Sequence, residues 1–176
     1  MADLKISQLS AATVPLIGNE TLPLVQSGTT KKVAVSDVGM FGPAFSAYQS
    51  VSQGVPSTTW TKVQLQSEEF DTDNAFDSTT NYRFQPTVPG YYQVNCGIGV
   101  ATTGSQVVCA VYKNGASYKV GAIPNGPVAF GNTVSALVYL NGSTDYIEFY
   151  TYFSIGQGSS AAATDTYFQA SMTRRA

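Results

Sequence analysis

The side chains that could do chemistry are few, and most are carboxylates crowded into one stretch: Glu68, Glu69, Asp71, Asp73 and Asp77. Carboxylate oxygens at this density could ligate calcium, a hard cation that takes about six to eight of them. The stretch departs from the EF-hand loop, since alanine at 75 and phenylalanine at 76 occupy positions where that loop needs an oxygen ligand and a glycine. A pair of these acids could also serve a glycosidase, but nothing in so polar a segment separates their pKa values. It reads as a solvated loop, with calcium as the alternative. Histidine is absent, which removes Ser-His-Asp and Cys-His nucleophiles and most zinc and iron sites together. Cys96 and Cys109 are too few for a four-thiolate site, and their spacing matches no CxxC pattern. No GxGxxG or GxxxxGK(S/T) phosphate loop occurs. The expectation is therefore no catalytic residue, no metal and no cofactor.

The elements that would carry any site are strands. Tyr92, Val94, Cys96, Ile98 and Val100 alternate with Tyr91, Gln93, Asn95, Gly97 and Gly99, the period of a strand with one buried face. Val107, Cys109 and Val111 repeat the pattern up to Asn114-Gly115, a dipeptide that supplies the positive φ angles of a tight hairpin, and a strand near Tyr118 should return beside them. Val134, Ala136, Val138 and Leu140 lead to a second turn at Asn141-Gly142. Ile147, Phe149 and Phe153 then oppose Tyr146, Tyr150 and Tyr152, and residues 167 to 173 close the series. Short strands with regular turns and no helical stripe give an all-β sandwich or barrel. Cys96 and Cys109, both in apolar alternating runs, read as small buried hydrophobes, with a bridge as the alternative. The low-complexity stretch from 156 to 163 reads as a flexible loop.

Charged residues make up 11% of the 176, so the surface must be built largely from Ser, Thr, Asn, Gln and Gly. With nine basic and eleven acidic residues the net charge is −2, which offers no field to gather phosphates, and nucleic acid is not expected as a partner. No apolar run is long enough to span a bilayer, and the opening MADLKISQLS lacks signal-peptide patterning, so the expectation is synthesis in a cytoplasm without membrane insertion. Eleven tyrosines could stack on sugars or line an interface, although most could simply pack the sandwich. For the outward row Tyr146, Tyr150 and Tyr152, subunit contact and ligand contact both stand open.

Residues 1 to 43 differ, because Pro15, Gly18, Pro23, Gly28, Gly39, Gly42 and Pro43 break every apolar run. They read as an arm ahead of a domain at 44–176. Leu22 to Gln26 and Lys32 to Val35 are its strand candidates, too short to be stable without a partner surface.

Three segments carry a resemblance. Ala44-Phe45-Ser46-Ala47 resembles the opening strand of C1q-like domains. Tyr82-Arg83-Phe84-Gln85-Pro86-Thr87-Val88-Pro89-Gly90-Tyr91-Tyr92 is similar to their central Phe-x-x-x-x-x-Gly-x-Tyr signature, and Tyr167-Phe168-Gln169-Ala170-Ser171-Met172 to their closing strand. The resemblance covers about residues 44 to 174. It implies a ten-stranded jelly-roll sandwich of the C1q and tumour-necrosis-factor type that assembles as a homotrimer. If the alternation holds, Tyr91, Gln93, Asn95, Tyr167, Gln169 and Ser171 share the face that the family buries at its threefold axis. The closing strand has Gln169-Ala170 where the family often has Ser-Gly, and no collagen-like stalk precedes the domain.

The arm has its own resemblance. Lys5-Ile6-Ser7-Gln8-Leu9-Ser10-Ala11-Ala12-Thr13, then Glu20 to Gln26, then Thr30-Lys31-Lys32-Val33, is similar to an N-terminal segment of many tailed-bacteriophage fibre and tail-associated proteins. It implies a structural virion protein made in a host bacterial cytoplasm, a small trimeric fibre or decoration subunit. Lys5, Ile6, Leu9, Leu22, Leu24 and Val25 would anchor it on other virion structural proteins, and the domain would project, with a host-surface glycan as a further partner. The competing readings are a carbohydrate-binding or ligand-like C1q module outside any virion and, behind both, an enzyme.

Overall fold

In the computed structural model the residues described are 21–34, 42–127 and 130–176. They fall into two compact units divided between positions 41 and 42. In chain order the strands are β1 (Thr21–Gln26), β2 (Thr29–Ala34), β3 (Ala44–Tyr48), β4 (Gly54–Val55), β5 (Thr61–Lys62), β6 (Ser67–Asp71), β7 (Phe76–Asp77), β8 (Arg83–Phe84), β9 (Gly90–Gly99), β10 (Val107–Lys113), β11 (Ala116–Val120), β12 (Gly131–Leu140), β13 (Ile147–Phe153), β14 (Gln157–Gly158) and β15 (Tyr167–Arg175). No described residue is helical.

The first unit contributes one antiparallel hairpin, β1 with β2, in the register Leu22↔Val33 and Leu24↔Lys31. Its two-residue turn, Ser27-Gly28, takes positive φ at both positions, as a type I′ turn requires. The two short strands, read from the sequence as needing an outside partner, thus pair with each other. Leu22, Leu24 and Val25 remain exposed on β1. Lys5, Ile6, Leu9 and Val35 lie outside the described residues.

The second unit is a sandwich of two sheets, ordered β12-β9-β15-β3-β6 and β11-β10-β13-β8-β7, with β5 also paired to β13. Alternation sets its core. Tyr92, Val94, Cys96, Phe168, Ala170 and Met172 point inward from the first sheet and meet Phe84, Cys109, Val111, Ile147, Phe149 and Phe153 from the second. Phe45 sits among rings, with Phe84 and Phe76 stacked at centroid distances of 4.5 and 4.7 Å and Phe168 edge-on at 5.0 Å. Both cysteines are free and buried. Burial pushes both thiols above their usual range, and Cys109 Sγ donates to Asn132 O, so they behave as packing groups.

The Asn114-Gly115 turn takes the expected positive φ angles and joins β10 to β11. The Asn141-Gly142 turn instead carries the chain from one sheet to the other. Asn141 Oδ1 accepts from the backbone N–H of Ser143, Thr144 and Asp145, closing the corner. The stretch from 156 to 163 is not free. β14 pairs with β4, Ser159 is buried, and its hydroxyl accepts from Gln53 N and bonds Gln49 Oε1. Its serines satisfy backbone groups that composition alone cannot foresee.

The acidic stretch is strand and turn rather than open loop. Asp71 Oδ2 accepts from Phe76 N at 2.7 Å. Asp77 accepts from the backbone N–H of Thr79, Thr80 and Asn81 and from Asn81 Nδ2. Among the described residues no three His, Cys, Asp or Glu side chains stand close enough to hold a metal ion together. The Thr80 N–H, ahead of the other donors, holds the Asp77 carboxyl well below the usual carboxylate range. A depressed folded-state pKa contributes stability that is complete above the ordinary value near 4 and fades as pH falls below it. Asp77→Asn is therefore expected to melt earlier than the parent at pH 7, with the gap closing as the pH is lowered from about 4 to about 2. A gap that stays constant on acidification would show that the carboxylate charge is not what closes the turn.

Candidate subunit interface

If Tyr92, Val94 and Cys96 fill the core, their neighbours on β9 must face away from it. The register shows what they meet. Asn95 lies between Ser135 of β12 and Gln169 of β15, and Gln169 lies beside Ser46 of β3, which opposes Phe70 of β6. Parallel to this row run Leu137, Gln93, Ser171 and Ala44 on one side and Thr133, Gly97, Tyr167 and Tyr48 on the other. Tyr91 faces Tyr139 with ring centroids 5.4 Å apart. Tyr91, Gln93, Asn95, Tyr167, Gln169 and Ser171 thus lie together on the outer face of the five-stranded sheet.

The polar groups of this face bond to one another. Gln93 Nε2 donates to Ser135 Oγ at 2.8 Å, and Ser135 Oγ donates to Asn95 Oδ1 at 2.9 Å. Gln169 Nε2 donates to Ser46 Oγ, which donates in turn to Glu69 Oε2 at 2.6 Å. Glu69 reaches in from β6; the outward positions 91–97, 133–139 and 167–171 carry no charged side chain. The Tyr167 ring crosses Gly97, where an added Cβ would stand 2.6 Å from it and push the ring aside. Between Phe70, Gln93, Asn95 and Gln169 the surface dips into a shallow hollow of about 180 Å³.

Large apolar side chains rim this polar centre. Leu137 is 53% exposed, Tyr139 40%, Tyr91 42% and Phe70 52%. Leu137, Tyr139 and Phe70 were not singled out from the sequence. The β12 alternation that buries Val134, Ala136 and Val138 was signal enough for the first two, whereas Phe70 sits past a register shift between Ser46 and Ala47 that no periodicity announces.

On the other sheet, Tyr146, Tyr150 and Tyr152 meet neighbours within the chain. Tyr150 stacks on Tyr112 at 3.9 Å, Tyr152 leans on Trp60 at 5.7 Å, and the Arg83 guanidinium lies 4.4 Å over Tyr146.

No protein-family model matches the chain, and no curated protein matches its sequence. Solved structures do match by shape. The globular domain of zebrafish complement 1qA protein superposes with a TM-score of 0.55 at 14% identity, covering 76% of this chain and 99% of its own. The fold is the C1q and tumour-necrosis-factor jelly roll. Eiger TNF from S. frugiperda gives 0.54 at 11% identity over 77% of this chain and 96% of its own. Murine APRIL gives 0.53 at 9% over 77% of this chain and all of its own. In this jelly roll the five-stranded sheet is built from the strands that carry the three sequence resemblances: β3 the opening one, β9 the end of the central one and β15 the closing one.

Proposed function

We propose that this chain is a structural virion protein whose jelly roll trimerises through the outer face of its five-stranded sheet, while its N-terminal arm anchors it on other virion proteins. The observation that supports this best is the composition of that face: an internally bonded polar centre, in which Ser46 holds the Glu69 carboxylate, rimmed by Tyr91, Leu137, Tyr139 and Phe70, all substantially exposed. Apolar patches of this kind on a low-charge surface mark sites of association. A closed ring of three needs two different patches per subunit, one meeting the other on the next copy. The face supplies them, with Leu137 and Tyr139 on the β12 edge and Phe70 on the β6 edge. The polar centre then falls at the axis, where Ser135 links Gln93 to Asn95 and Gln169 bonds Ser46.

The arm supports the anchoring role through Leu22, Leu24 and Val25, exposed on its two-stranded hairpin. A lone two-stranded hairpin is marginal in water, so docking on a partner is where it gains stability. Deleting residues 1–41 is expected to leave the domain folded and its subunit mass threefold, while particles assembled with it lose the protein. Retention of the truncated protein on purified particles would move the anchor into the jelly roll. The opposite sheet stays free in such a trimer and faces outward, where a host-surface glycan would be met.

A further inference from the structure

We propose that the outer face of the six-stranded sheet carries a saccharide-binding platform built on Trp60, Tyr112, Tyr150 and Tyr152. This rests on reading the jelly roll as a projecting binding module and names where its ligand sits. Tyr112 and Tyr150 stack nearly parallel, with an interplanar angle of 18°. Trp60 leans over this pair's edge, 6.2 Å from Tyr112 and 5.7 Å from Tyr152. Val108 and Ala110, at outward positions of β10, are almost fully buried, while Trp60 remains 37% exposed. What this patch offers to solvent is therefore mainly aromatic ring surface.

Trp60 is held in place at some cost. Thr58, two residues before it, takes a φ of 55°, an outlier for a β-branched residue. It persists because its neighbours fix it: Thr58 N donates to Phe153 O at 2.8 Å and Ser57 Oγ to Ser154 O at 2.9 Å. Extending the loop would relax Thr58 and withdraw the indole from the tyrosines.

Chemistry selects the occupant. The electron-rich face of an aromatic ring attracts the weakly positive C–H face of a pyranose, as it does other positive edges. A sugar also needs polar groups around that face, and cationic donors flank the rings. Lys62, partly exposed, bonds Asn81 O and pairs with the buried Glu148, and Arg83 lies over Tyr146. Donors of this kind beside stacked rings suit hydroxyls, which accept them, better than a purely apolar partner. The five-stranded face differs in kind, since its rim includes an exposed leucine and phenylalanine that favour protein contact.

The chain has one tryptophan, so its emission reports on the patch alone. The full-length protein would be titrated with maltotriose, cellotriose and chitotriose at millimolar concentrations, following Trp60 emission and its quenching by acrylamide. At least one trisaccharide is expected to give a saturable shift and to shield the indole. Tyr112→Leu and Tyr152→Leu, which keep apolar volume but lose a ring face, are each expected to weaken that sugar about tenfold. Their melting temperatures and subunit masses would be measured alongside, so that a folding defect is not read as lost binding. No saturable response to any of the three sugars, or unchanged affinity in both folded variants, would overturn the proposal. So would a response confined to an apolar probe such as anilinonaphthalene sulfonate, which would assign the patch to an apolar partner. A sugar response from a monomeric protein would leave the platform standing and remove the trimer, so the two proposals fail separately.

Discussion

Asn95→Glu is expected to convert the proposed trimer to monomers at micromolar concentration and low salt, while leaving the fold intact. Asn95 is exposed at the centre of the five-stranded face, with Ser135 and Gln169 on either side. In a monomer a glutamate there would point into water and disturb one bond, from Ser135 Oγ. In a threefold assembly the same change brings three carboxylates together where water is scarce. Repulsion and desolvation then amount to a few kcal/mol per trimer. Because dissociation relieves all of it, the loss appears in the subunit mass rather than in the melting of the monomer. Gln169→Glu should act alike, since the two residues are register partners. Ser117→Glu, on exposed β11 of the other sheet, should leave the mass unchanged. Equal behaviour of all three variants would show that this face looks onto solvent.

Phe45→Ala is expected to cost about 3–5 kcal/mol of folding stability, the range for removing a buried phenylalanine. Phe45 is 1% exposed and contacts rings contributed by both sheets: Phe168 on its own, Phe76 and Phe84 across the sandwich. These are rigid groups locked against each other, so the cavity can collapse only by moving strands, which places the cost toward the upper end. Urea unfolding at fixed protein concentration would show a lower midpoint with an unchanged slope. Phe130→Ala, at a ring 86% exposed, should shift stability by less than about 0.5 kcal/mol. A cost for Phe45 near that of Phe130 would mean that the sheets are not packed as described.

The parts of the fold legible in the sequence are those where one local rule decides the outcome. The first halves of β9 and β15 alternate cleanly because each has one core face, so the six outward residues could be named from periodicity alone. Asn114-Gly115 announced its hairpin because both residues tolerate positive φ. Ser27-Gly28 makes the same turn with a serine in the left-handed region, a weaker signal, and the β1–β2 pairing went unread. β10 misleads in another way. Its outward Val108 and Ala110 are buried, because Trp60 and the tyrosines cover a face that alternation assigns to solvent. The glycine- and serine-rich stretch around Ser159 looked loose because composition reports chain freedom, whereas its order comes from bonds to Gln49 and Gln53, more than a hundred residues earlier. In the acidic stretch Asp71 and Asp77 similarly accept from nearby backbone N–H groups, which spacing alone does not distinguish from a ligand set.

The mass of the assembled protein tests the central claim most directly. Light scattering of the full-length chain at micromolar concentration should give about three times the subunit mass of 18.6 kDa, a value independent of dilution over the range in which the fold is stable. A particle of 18.6 kDa would contradict it, leaving Tyr91, Leu137, Tyr139 and Phe70 facing water with no assembly to cover them.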